Sequence, residues 1–157
     1  MKYIFDSNTL STILKFYYPE RFPTFWINFS ELLESAAIVS VREVKFELER
    51  AFSSEAIKRL TVYNPDFFQV PSVEELTFIS QVYAIPRFQQ NLSSQKILEG
   101  GDCADPFIVA KAKVHEAIVV TQETKPKGGA RIPNICEHFH IPCLNLEGFL
   151  TQEDWKF

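Results

Sequence analysis

The chain has 157 residues, about one ordinary domain's worth, and with 46% apolar and 23% charged side chains it can bury a real core. Disorder, collagen-like repeats and Gly/Ser linkers are excluded, since phenylalanine numbers 15 and glycine only 5. Sixteen basic against twenty acidic side chains leave a net charge of −4, so any nucleic acid would be handled through a local groove, a bound cation or a partner rather than a basic surface.

No apolar run approaches the ~18–20 residues that cross a bilayer, so no membrane association is expected. The start MKYIFDSNTL is broken by Asp6 too early to serve as a signal peptide. Three cysteines in such a chain suggest a reducing, cytoplasmic setting. We expect a single domain over residues 1–157.

Residues 2–5 read as a buried strand that stops at Asp6-Ser7-Asn8. Helical spacing follows from Leu10 to Tyr17, ending by Pro19, and again from 22 to 35. Ala37-Ile38-Val39 is a short strand, after which Ser40 is expected to open a helix to Arg50. A helical piece covers 54–62, and Phe67–Val70 is a strand or a connector. Residues 72–84 look helical, and 87–98 weakly so.

Gly100-Gly101 precede Asp102, and Asp105-Pro106 starts a helix to His115, with Asp105 expected as its N-cap. Residues 117–121 form a strand, 125–130 a loop and 141–144 a last strand. Strands alternating with helices imply an α/β fold, a mainly parallel sheet with helices on both faces.

In such a sheet, sites form at the carboxyl ends of the strands. Asp6 ends the first strand, Glu123 follows 117–121, Asp105 starts a helix at the same edge, and Glu43 and Glu47 share one face of the helix after Ser40. Acids from distant parts of the chain thus meet on one rim. They repel one another unless a hard cation such as Mg²⁺ or Mn²⁺ compensates them. A metal so held activates water and stabilises phosphate oxygens.

The blocks FDSNTL at 5–10, SVREVKFEL at 40–48, ADPFIVAKA at 104–112 and VVTQE at 119–123, followed by IPNIC at 132–136, together resemble the PIN-domain family of nucleases, to which the VapC-type toxins belong, and within it a less-characterised subgroup. The resemblance implies an RNase-H-like three-layer α/β/α sandwich and a Mg²⁺- or Mn²⁺-dependent endoribonuclease, with RNA as substrate and an antitoxin protein or a second copy as partners. The products would carry a 5′-phosphate and a 3′-hydroxyl. Carried over, Asp6, Glu47 and Asp105 are metal-binding acids. Glu123 stands where many members have aspartate, and its longer arm would reach the metal through water. Asp102 is either an outer ligand or the turn before the helix. Ser7, Asn8 and Thr121 are placed to hydrogen-bond the carboxylates. The alternative is a PIN-like domain that binds RNA or protein without cutting.

Three further features need an account. Ser40-Val41-Arg42-Glu43 has the spacing of a capping box, which would give Glu43 to the helix and leave Glu47 for the metal. Lys125, Lys127 and Arg131 form a positive loop that would contact the substrate backbone as a flexible arm. Cys136, His138, His140 and Cys143 suggest zinc, but on an extended chain the first three face one way and Cys143 the other. Core cysteines and polar histidines are expected instead, while His115 should cap its own helix. The aromatic excess between Phe16 and Phe29 is core or a partner surface.

Overall fold

The computed structural model describes residues 1–92 and 103–157. Five strands form one sheet in the order β3-β2-β1-β4-β5, with every pair parallel. They are β1 (Tyr3–Phe5), β2 (Ile38–Val41), β3 (Phe68–Gln69), β4 (Ile118–Val120) and β5 (Cys143–Leu144). Among the described residues eight α-helices flank them: α1 (Ser7–Phe16), α2 (Pro23–Glu34), α3 (Arg42–Glu49), α4 (Ser54–Thr61), α5 (Val73–Tyr83), α6 (Asp105–Val114), α7 (Ile132–Phe139) and α8 (Leu146–Gln152). A 3₁₀ segment, Pro86–Leu92, follows α5. The result is the three-layer α/β/α sandwich that the alternation implied.

The central strand shows why helices must cover both faces. Tyr3, Ile4 and Phe5 are all fully buried although successive side chains point to opposite sides. Tyr3 and Phe5 meet Phe149 of α8 edge-on at 4.9 and 5.0 Å, and Phe5 also meets Phe29 of α2 at 5.8 Å. Ile4 is left to the other face, where α6 lies along β1, β2 and β4 with α5 and α7 beside it. The rings of Phe25, Trp26 and Phe29 pack within 5.8 Å of one another, so this part of the aromatic excess is core. Phe16, Tyr18 and Phe22 remain exposed.

Several boundaries differ from expectation. Ser40 and Val41 belong to β2, and the Ser40 hydroxyl donates to the Phe5 carbonyl at 2.6 Å, stitching β2 to β1 instead of capping a helix. The capping box is therefore absent, and α3 starts at Arg42. Asp105 is the first residue inside α6, because the Ala104 carbonyl already accepts from Ile108 N–H at 3.0 Å and makes Ala104 the cap. Residues 132–139 form a helix, so the extended geometry used to weigh Cys136, His138 and His140 as ligands does not apply; Ile132, Ile135 and Cys136 bury one face of it. Gly100-Gly101, Asp102 and the second half of the 87–98 segment lie outside the described residues. No helix among the described residues is long and apolar enough to cross a membrane.

Candidate functional site at the carboxyl edge of the sheet

The register that pairs Phe5 with Val120 sets Asp6 beside Thr121, where β1 and β4 both end. Asp6 N–H donates to the Val120 carbonyl at 3.0 Å, which fixes the backbone. Its carboxylate accepts from Ser7 N–H at 2.7 Å as the cap of α1, and from the Thr121 hydroxyl at 2.9 Å. That hydroxyl in turn accepts from Glu123 N–H at 3.2 Å. Asn8 lies farther out: its amide oxygen accepts from Gln122 N–H at 3.0 Å and braces the segment after β4. Thr121 and Ser7 thus touch the carboxylate, while Asn8 holds the chain that carries Glu123.

Asp6 is only 3% exposed and is pushed up to about 8 from its ordinary 3.8. Burial is the largest cause, followed by the charges of Asp105 and Glu123, and the bonds from Thr121 and Ser7 offset only part of the rise. Asp105 is buried at the first turn of α6. Glu47 reaches the same helix start, its Oε1 facing Ala104 N–H at 3.4 Å. The expected acids Asp6, Asp105, Glu47 and Glu123 therefore gather towards one edge, Asp105 and Glu123 through their charges on Asp6 and Glu47 through its bond to the start of α6.

Glu123 has a second task. Its Oε2 accepts from Ile132 N–H at 3.0 Å, so the carboxylate sits on the N-terminus of α7, where the helix dipole favours a negative charge. An aspartate has one methylene less to span that distance. Gln122 does the same for α8, accepting from Leu146 N–H at 2.7 Å. The dipeptide after β4 thus anchors two helices, a role its sequence did not announce.

Glu43 loses its expected explanation along with the capping box. It is 5% exposed, Arg42 donates to its Oε1 at 2.9 Å, and its buried Oε2 has no hydrogen-bond partner among the described residues. Tyr83, at the end of α5, also went unnoticed in the sequence. Its hydroxyl is buried, and burial, then the neighbouring Cys103 and Asp105, push its ionisation upward. An aromatic at a helix end reads as core, so no local signal marked it.

The candidate zinc ligands separate. Cys136 and Cys143 line one cavity of about 400 Å³ with Thr121, Glu123 and Lys125, while His138 lies in a neighbouring groove. The Cys136 thiol is pushed upward by its bond to Cys143 and by burial. His115 caps its own helix as expected, through its backbone N–H, which donates to the Lys111 carbonyl at 3.0 Å, while its ring Nε2 faces Glu75 Oε1 at 3.1 Å. Lys125 pairs with Glu137, and Lys127 lines the groove. Arg131 is exposed at the start of α7 and lines neither the cavity nor the groove.

Among the described residues, no three His, Cys, Asp or Glu side chains are already arranged to hold a metal ion. The donor chemistry nevertheless fits a hard divalent cation: the charges of Asp105 and Glu123 oppose the ionisation of buried Asp6, and carboxylate oxygens are the ligands such a cation prefers.

A family model described as "Domain of unknown function (DUF4411)" matches residues 3–157, and the chain belongs to that family. It is also similar to a solved structure titled "Crystal structure of PAE2754 from Pyrobaculum aerophilum", at 15% identity and a TM-score of 0.42, over 89% of this chain and 97% of that one. No curated protein matches.

Proposed function

We propose that this chain is a Mg²⁺- or Mn²⁺-dependent endoribonuclease of the PIN type. The observation that carries the reading is Asp6, a buried carboxylate with neutral donors from Ser7 and Thr121 and no salt-bridge cation among the described residues, pressed by Asp105 and Glu123. Asp6, Asp105 and Glu47 would hold the cation, with Glu123 at its margin. When bound, the cation supplies charge compensation for the acids and the phosphate, together with activation of water. The protein's own part is positioning. Thr121 and Ser7 N–H orient the Asp6 carboxylate, and α6 presents Asp105 from its first turn. Glu123, tied to α7, fixes the wall on the β4 side.

That same tie supports a second reading. A Glu123 committed to α7 and acids that do not yet form a ligand set suit a PIN-like domain that binds RNA without cutting it. A cleavage assay separates the two. Single-stranded RNA should be cut in Mg²⁺ or Mn²⁺ and left intact in EDTA, and Asp6→Asn should lower the rate by more than about 100-fold, beyond the usual cost of losing an outer-sphere partner. Undiminished cutting by Asp6→Asn would remove the site; no cutting under any metal would favour the binding domain.

A further inference from the structure

The segment between Glu123 and α7 is a pinned turn, where a flexible arm was expected. Gly129 N–H closes it on the Pro126 carbonyl at 3.0 Å, and the Asn134 side-chain amide donates to that carbonyl at 2.8 Å. Gly128 has φ +69°, and a Cβ on Gly129 would fall 2.5 Å from the Pro126 ring, so both glycines are required. The turn forms one wall of a groove of about 560 Å³. Arg87, from the 3₁₀ segment, and His138, from α7, also line the groove. Both rest on Phe88, which is fully buried: the Arg87 guanidinium is 4.7 Å from its ring centre, and the His138 ring meets it edge-on at 5.4 Å.

The charge of this groove opposes that of the whole chain. Arg87, Lys125 and Lys127 line it against one acid, Glu137, in a protein of net charge −4. Lys125 holds the Glu137 carboxyl below its usual range, with Arg87 adding to the effect, while Lys127 makes no ion pair among the described residues. Lys125 and Glu137 also line the cavity that contains Thr121 and Glu123, so the groove adjoins the Glu123 side of the acidic edge.

We propose that this groove carries the phosphodiester backbone of single-stranded RNA away from the acidic site, with Arg87 and Lys127 contacting phosphates beside the one to be cut. The proposal rests on the ribonuclease reading for its substrate. A planar guanidinium matches a phosphate with two donors, and an ammonium serves as a point charge beside it. An acidic peptide is the weaker match, since protein partners bind through apolar anchors in pockets and the lining here is polar apart from Pro126.

The test is fluorescence anisotropy of a labelled single-stranded RNA with the full chain in EDTA, where no cutting confounds binding. Wild-type protein should bind with a steep salt dependence. Arg87→Ala combined with Lys127→Ala should weaken binding at least about 10-fold at low salt and reduce the log–log salt slope by about 1.4, from ~0.7 for each lost phosphate contact. Arg87→Lys should retain the slope, and Asp6→Asn should retain binding. Absence of binding by wild type, or an unchanged slope in the folded double variant, would overturn the proposal. So would displacement of the RNA by polyglutamate at equal charge concentration, which would make the groove a peptide surface. If these binding results hold while no metal supports cutting, the ribonuclease reading falls and the RNA groove stands.

Discussion

Two of the buried carboxylates, Glu75 and Asp6, stand in opposite circumstances. Glu75, 1% exposed on α5, accepts from the Lys111 ammonium at 2.9 Å and Ser72 N–H at 3.3 Å, and faces His115 at 3.1 Å. Lys111 is itself buried and gives a second bond to Gln69 at 3.1 Å. Asp6, 3% exposed at the end of β1, accepts from the neutral donors Ser7 N–H, the Ser7 hydroxyl and the Thr121 hydroxyl, and its charged neighbours Asp105 and Glu123 repel it. Glu75 brings its counter-ion with it and joins α5 to α6. Asp6 has no such counter-ion among the described residues, and this difference separates a carboxylate that holds a fold together from one whose charge its neighbours oppose.

The largest effect should come from breaking the self-sufficient pair. Lys111→Met keeps the bulk but strands Glu75 without its cation, and should destabilise the protein by about 3–5 kcal/mol in urea denaturation. A loss below about 1 kcal/mol would mean that His115 and Ser72 suffice for Glu75.

The opposite sign is expected at Asp6. Its folded value, about 8, lies above the ordinary 3.8, so the folded state binds the proton more tightly than the unfolded one. Stability without metal therefore falls as pH rises between those values, and the penalty is complete above the upper one. Asp6→Asn removes the penalty and should stabilise the metal-free protein by about 2–4 kcal/mol at the alkaline end. The gain should vanish at the acid end, where the native Asp6 is also neutral. A variant less stable than wild type throughout would refute the frustration of Asp6.

A third experiment sharpens the boundary of the site. Glu47→Gln should slow metal-dependent cleavage about 100-fold, since Glu47 stands at the start of α6 beside Asp105. Glu43→Gln should stay within about 10-fold, because Arg42 holds its other oxygen and an amide group fills the same space. The reverse pattern would give the unpartnered Glu43 oxygen to the cation.

What the sequence revealed follows the range of the interactions. The sheet and the position of Asp6 were legible because β-runs and their punctuation are local. The helix α7 was also legible in principle: Ile132, Ile135, Cys136 and Phe139 recur at helical spacing and Pro133 lies in the first turn, but alternating cysteine and histidine suggested an extended chain. Ser40 could not be read locally, since its bond to Phe5 spans 35 positions and outcompetes a cap three residues away. Lys111 and Glu75, 36 positions apart, were equally hidden. Arg87 joins Lys125 and Lys127 only because the 3₁₀ segment folds back beside α7.

The central claim is that the acids around Asp6 await a divalent cation, and calorimetric titration of Mn²⁺ into the metal-free chain tests it most directly. The account predicts saturable binding of about one ion per chain, lost in Asp6→Asn but retained in Lys127→Ala, with a melting temperature that rises with metal; saturation near 100 times Kd corresponds to about 2.7 kcal/mol. Binding that is absent at millimolar Mn²⁺, or that survives unchanged in Asp6→Asn, would contradict it.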